Sequence, residues 1–210
     1  MKRFRVTLLA VCLLLTWLGY SDLQLHLRNR SPQQISAHQL EQNQQHREWL
    51  HVTGGYQNLL EAINMSGTME IDAFLVPLRS TLDNPVTTIW FETRDPQIVD
   101  LLKTYYFKLD SDLQRSNFVK ENESLIYAKR DLIGMTADSM VASNNQAKLE
   151  ELLQDMKLPV VENTVFISEG KKPTIYRGYA FAIVGILGII KLLLSFRART
   201  ATAPLAEEAE

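Results

Sequence analysis

The run RGYAFAIVGILGIIKLLLSF, residues Arg177 to Phe196, constrains this chain more than any other stretch. From Gly178 to Phe196 it holds roughly 19 residues with one charge, close to the ~20 that a helix needs to cross a ~30 Å hydrocarbon layer. A core helix seldom stays apolar on every face for that length. Tyr176 and Tyr179 stand at one end, where amphipathic rings favour the headgroup level, and Arg197 and Arg199 close the other. Lys191 is the exception inside the run. It lies six positions before Arg197, only ~9 Å below that end, and its stem can snorkel most of the distance. The small residues Gly178, Ala182, Gly185 and Gly188 would let another helix approach closely.

A second apolar run answers the first. After the basic head MKRFR comes VTLLAVCLLLTWLGY, Val6 to Tyr20, about 15 apolar residues or ~22 Å of helix. That length suits both a short signal anchor and a signal peptide. Gly19 and Ser21 supply small residues for a cleavage before Asp22, whereas Trp17 and Tyr20 have the character of an interfacial belt, and an uncleaved anchor is the expectation. Either way Lys2, Arg3 and Arg5 resist translocation, so the following segment is expected outside the cytoplasm. The location expected is a bacterial inner (plasma) membrane, with residues 22–176 periplasmic or otherwise extracytoplasmic.

The roughly 155 residues between the two runs, Ser21 to Tyr176, suffice for one domain with a real core. The net charge is −2, and no basic excess argues for nucleic acid. Cys12 is the only cysteine and lies in the first apolar run, so the domain has neither disulfides nor thiolate chemistry.

Along the chain, Ser31 to Arg47 is glutamine-rich, and Ser36 with Gln39 matches a capping box, which predicts a short surface helix. Trp49 to Thr53 alternates as a half-buried strand ended by Gly54-Gly55, and Tyr56 to Met65 is ambiguous between strand and helix. Glu70 to Leu78 and Val86 to Thr93 predict strands, with Pro85 to Glu92 pairing against Glu70 to Leu78 as an antiparallel hairpin and Pro77 marking an edge or bulge. Asp95 and Pro96 start a helix that buries Ile98, Leu101, Leu102 and Tyr105. Asp110 to Asn117 is expected as a loop, and Ser124 to Lys129 and Leu132 to Thr136 as strands around a turn at Arg130-Asp131. A second amphipathic helix opens at Asn144-Asn145, with Leu149, Leu152, Leu153 and Met156 inward. Val160 to Ser168 is the last strand, and Ala198 to Glu210 is expected to be disordered.

These elements predict an α+β fold: one mostly antiparallel sheet, open or curled into a small barrel, with two amphipathic helices, held between an N-terminal and a C-terminal transmembrane helix. The parts are an anchor (1–21), a polar, partly helical lead-in (22–47), the extracytoplasmic domain (48–170), hinge and second span (171–197), and a cytoplasmic tail (198–210).

Candidate chemistry is sparse. His38, His46 and His51 share a neighbourhood with Glu41 and Glu48, but His46 and His51 are five apart where one helix face needs four for a shared zinc. Asp110, Asp112, Gln114 and Glu121 approach a calcium loop, yet Arg115 stands where a glycine must turn. Ser80, His51 and Asp72 could form a dispersed triad, and Glu92 with Asp95 a carboxylate pair, although Asp95 also serves as a helix cap. Trp90, Phe91, Tyr105, Tyr106 and Phe107 either line a pocket or pack a core. Asn64-Met-Ser66 and Asn122-Glu-Ser124 match glycosylation acceptors. No residue is assigned a catalytic, cofactor-binding or metal-ligating role, and no cofactor is implied. The layout, one folded domain between two spans, is similar to several envelope and respiratory-complex assembly factors. An accessory or interaction module rather than an enzyme follows, with membrane lipids and other membrane proteins as partners, and a small-ligand sensor or a membrane-bound hydrolase as the competing readings.

Overall fold

A computed structural model describes residues 2–43, 45–65, 73–136, 149–151, 153–154 and 163–200. Two compact units divide the chain: Met1–Arg30 with Pro173–Glu210, and Ser31–Lys172.

The first unit is a pair of helices. α1 spans Lys2–Arg28, running well past the fifteen-residue apolar stretch and taking the beginning of the expected lead-in with it. The C-terminal helix, α6 in chain order, spans Ile175–Thr200. Both are long and apolar enough to cross a membrane, and only 11% and 17% of their most apolar windows are buried, unlike the core helix of a globular protein. The two pack closely through their small residues. A side chain added at Gly19 would stand 2.4 Å from the backbone nitrogen of Ala182, and one at Gly185 would stand 2.7 Å from the backbone nitrogen of Thr16. Only backbone-on-backbone contact explains such distances, as small-residue packing of apolar helices requires.

The second unit is built on a mixed seven-stranded sheet. Its strands are β1 (Gln33–Ser36), β2 (Trp49–Gln57), β3 (Ile63–Asn64), β4 (Phe74–Arg79), β5 (Ile89–Thr93), β6 (Lys129–Thr136) and β7 (Val165–Glu169). They run in the order β1-β2-β6-β7-β5-β4-β3, and a further pairing of β2 with β4 closes five of them into a barrel. Within the ring β5 and β7 are parallel, and the other four pairings are antiparallel. Counted along the chain, the ring closes first–second–third–fifth–fourth–first. This Greek-key connectivity is shared with OB-type barrels; it defines an architecture and carries no activity.

β2 makes closure possible. It pairs with β6 from Trp49 to Tyr56 and with β4 at Tyr56 and Gln57, and its register against β6 shifts between Val52 and Gly55. Gly54 there has φ +73°, the left-handed conformation that a bulge of this kind demands. The Gly54-Gly55 pair therefore bends the strand rather than ending it. Pro77 sits in an inner strand, not at an edge. On one side β4 pairs with β3 at Phe74 and Leu75 and with β2 at Leu78 and Arg79, and Pro77 falls in the gap between them.

Inside the barrel Leu50, Val52, Phe74, Val76, Leu78, Ile89, Phe91, Leu132, Val165 and Ile167 form the core. α3 (Pro96–Phe107) closes it with Ile98, Val99, Leu101 and Leu102, while Tyr105 stays half-buried. The outer face of β4, β5 and β7 is apolar too: Leu75, Trp90 and Phe166 are covered by Ile63, Met65, Leu149 and Leu153. That explains why β4 and β5 read as continuous apolar runs.

Three further expectations are corrected. Asp110 to Asn117 is not a loop: α4 spans Asp112–Glu121, capped by Ser111 and Gln114. Ser124 to Lys129 is not a strand: α5 (Glu123–Ile126) buries Ile126 first, and Arg130-Asp131 lies inside β6 rather than at a turn. The glutamine-rich lead-in is part strand, with β1 parallel to β2 and the predicted Ser36–Gln39 capping box opening α2 (Ala37–Glu41). In the second amphipathic helix residues 149–151 and 153–154 are helical, with Leu153 buried; Leu152, Met156 and residues 70–72 and 160–162 of two expected strands lie outside the described residues.

Candidate functional site

A polar constellation stands where β7 leaves the barrel. Parallel pairing sets Glu92 of β5 beside Ser168 of β7, both outside the barrel on the face that carries Trp90 and Phe166. Ser168 Oγ donates to Glu92 Oε2 at 2.9 Å. Gly170, at φ +73°, turns the chain so that Lys171 Nζ reaches Ser168 Oγ at 3.1 Å and Glu92 Oε2 at 3.4 Å. Arg94 donates to Glu92 Oε1 at 3.2 Å. Burial pushes the Glu92 carboxyl up, but Ser168, Lys171 and Arg94 together outweigh it and hold the group below the usual carboxylate range.

A second set adjoins it. Arg130 of β6 donates to Glu169 at 2.5 Å and to Asp95 at 3.3 Å, with its guanidinium 5.6 Å from the Phe91 ring centroid. Asp95 meanwhile caps α3, accepting from the Gln97 N–H at 3.0 Å. Glu92 and Asp95 are thus committed to different cations and are no carboxylate pair.

Ser168 beside Lys171 has the residue types of a Ser–Lys nucleophile. Its setting argues otherwise. Lys171 is 62% exposed and ion-paired to Glu92 rather than set in a closed cleft, and a carboxylate held low is a poor general base near neutral pH. The cluster clasps the start of the hinge to β5 and β6.

The residues singled out from sequence are scattered. Glu41 accepts from the Ser80 N–H at 2.7 Å and from Ser80 Oγ at 2.5 Å, so Ser80 is tied to Glu41 rather than to His51, and Asp72 lies outside the described residues. His38 contacts Gln42, the residue that caps its helix, His46 contacts the Arg47 carbonyl, and His51 sits on β2 between Gln34 and Ile133. Among the described residues no three His, Cys, Asp or Glu side chains assemble a metal-binding set. Gln114 accepts from the Asp110 and Ser111 N–H groups as a cap, leaving no calcium loop. Asn122 ends α4 by donating to the Phe118 carbonyl at 2.8 Å; Asn64 lies on β3, and Ser66 is outside the described residues.

The aromatic residues do not converge on one pocket. Trp90 and Phe91 face opposite sides of β5. Tyr105, Tyr106 and Phe107 form an edge-to-face string at the end of α3, extended by Phe118. Tyr106 donates to the Leu60 carbonyl at 3.0 Å, and burial raises its ionisation above the ordinary tyrosine range. Beyond it Phe107 and Leu113 are 63% and 73% exposed, and α4 buries none of its residues. An open, mostly polar depression of about 480 Å³ is lined by Thr53, Gly54, Lys129 and Asp131.

Comparison with known protein families, with characterised proteins and with solved structures gives no match.

Proposed function

We propose that this chain is an integral membrane protein whose barrel domain is an extracytoplasmic interaction module, assisting the assembly or regulation of a complex in the same membrane. The observation that carries the reading is the exposed apolar pair Phe107 and Leu113, at the end of α3 and the start of α4. α4 rests on the core through its half-buried Phe118 and Val119, which leaves its first turn, with Leu113, open beside the end of α3 as an apolar surface for a partner.

The barrel's connections support anchoring at both ends. Gln33 of β1 pairs with Leu50 of β2, Leu50 with Gly134 of β6, and Gly134 with Glu169 of β7. The chain therefore enters and leaves the domain in one row, three strand spacings or about 14 Å apart. Two adjacent helices can carry a domain so connected, and tethering raises the effective concentration of partners in the same membrane. The side chains filling the barrel leave its interior to packing, which weighs against a small ligand bound there.

The test is capture of the full chain in mild detergent at native expression. Other membrane proteins should co-purify, and Phe107→Ser with Leu113→Ser should release them without lowering the domain's melting temperature. Recovery of the chain alone, or retention of partners by the double variant, would count against the reading.

A further inference from the structure

We propose that the N-terminal helix is a retained half of the membrane unit and that Asp22 is the latch setting its register against the C-terminal helix. The inference rests on the membrane reading above but not on the partner. Two independent observations carry it. The first is steric. Every residue of α1 that meets a glycine of α6 up to Gly19 would be lost with a leader cleaved before Asp22. A side chain added at Gly19 would stand 2.8 Å from the Gly178 carbonyl, one at Gly185 2.8 Å from the Cys12 carbonyl, and one at Gly188 2.4 Å from Cys12 Sγ. Removing residues 1–21 would strip Gly185 and Gly188 of the Cys12 and Thr16 that cover them and leave both facing lipid.

The second observation is electrostatic. Arg177 grips Asp22 with both prongs, Nε to Oδ2 at 2.7 Å and Nη2 to Oδ1 at 2.9 Å, and the carboxylate is almost entirely buried. A bidentate pair fixes geometry as well as charge, so it selects one sliding register out of several that a glycine stripe would tolerate. The contacts Asp22–Gly178, Gly19–Ala182, Thr16–Gly185 and Cys12–Gly188 step in opposite directions along the two helices, as one antiparallel register requires. The backbone bears on processing too. A peptide bond must be drawn out of a helix to enter a protease, and α1 runs unbroken through Gly19, Tyr20 and Ser21 to Arg28.

The experiment uses the full chain in its own membranes. Intact mass of the purified protein should include residues 1–21; a chain beginning at Asp22 would overturn the proposal. Gly188→Cys, with native Cys12, should form an intramolecular disulfide under copper–phenanthroline oxidation. Asp22→Arg should lower that yield several-fold, and Asp22→Arg with Arg177→Asp should restore it. No cross-link, a yield indifferent to Asp22→Arg, or no restoration would each refute the latch. Should Gly188→Cys not accumulate, maleimide labelling of Cys12 gives the same readout: shielded in the wild type, open in Asp22→Arg, shielded again in the charge reversal. A wild-type Cys12 that labels freely would overturn the packing. Failure of partner capture would leave all these results untouched.

Discussion

Replacing Gly134 by alanine probes the barrel where β6 passes β7. The residue has no left-handed φ, so alanine meets no conformational barrier there. Space is the obstacle: the new Cβ would stand 2.4 Å from the Ser168 carbonyl oxygen and 2.7 Å from Ile167 Cγ2. The first contact is with backbone, so no rotamer change relieves it, and β7 must move away from β6. Overpacking of this kind costs about 1–3 kcal/mol, and weakening a neighbouring bond, such as the Gly170 N–H to the Ile133 carbonyl at 2.9 Å, costs about 1 more. Alanine returns about 0.5–1 kcal/mol by restricting the unfolded chain. The net loss is about 1–3.5 kcal/mol, which lowers the melting temperature by about 3–12 °C for a domain of this size. Gly170→Ala is the comparator. It meets nothing within 4 Å but sits at φ +73°, so it should cost only the ~1–2 kcal/mol of a left-handed backbone. Both are read by tryptophan fluorescence of the detergent-solubilised chain during heating. A Gly134→Ala melting temperature within about 1 °C of wild type would refute the β6–β7 packing.

Further outcomes are equally definite. Phe91→Ala, which empties the barrel core beneath Arg130, should destabilise the domain by about 3–5 kcal/mol in a denaturant titration. Ser36→Ala should cost about 1 kcal/mol through loss of the α2 cap. Glu92 is held below its reference value of 4.5, so its contribution is fully present above pH 4.5 and is lost as pH falls through the lower folded value. Glu92→Gln should therefore flatten stability against pH in that acidic window and leave the neutral-to-alkaline slope unchanged. Tyr106 should ionise at higher pH than tyrosines in water, and Tyr106→Phe, removing the donor to Leu60 and Ala62, should remove that high-pH step from an absorbance titration.

Much of the architecture was legible because it is written in local pattern. Short apolar runs bounded by turn residues marked β4 and β5 and their antiparallel pairing, Asp95-Pro96 marked the start of α3, and Ser36 with Gln39 marked a genuine capping box. What sequence reading missed depends on non-local partners. α4 has no apolar face for periodicity to detect, and only its Ser111–Gln114 cap betrayed it. The continuation of β2 through Gly54 follows from its change of partner to β4, which lies over twenty residues away. The ionic clasp was half visible. Glu92 and Asp95 could be singled out, but Arg130 and Ser168 join them only because β5 pairs in parallel with β7, a crossover with no local signature. Asp22 with Arg177, 155 positions apart, was legible only as two charges at the edges of two apolar runs.

On the proposed reading, the two apolar helices display the barrel on the extracytoplasmic side of a membrane. The most direct test places a cysteine at Leu82, an exposed turn residue between β4 and β5 that the proposed contact surface does not include, in the chain carrying Cys12→Ser, and treats intact spheroplasts with a membrane-impermeant maleimide. Labelling should be complete before the membrane is broken, and the chain should remain in the pellet after alkaline extraction. Labelling only after permeabilisation, or release of the chain into the supernatant, would contradict the account.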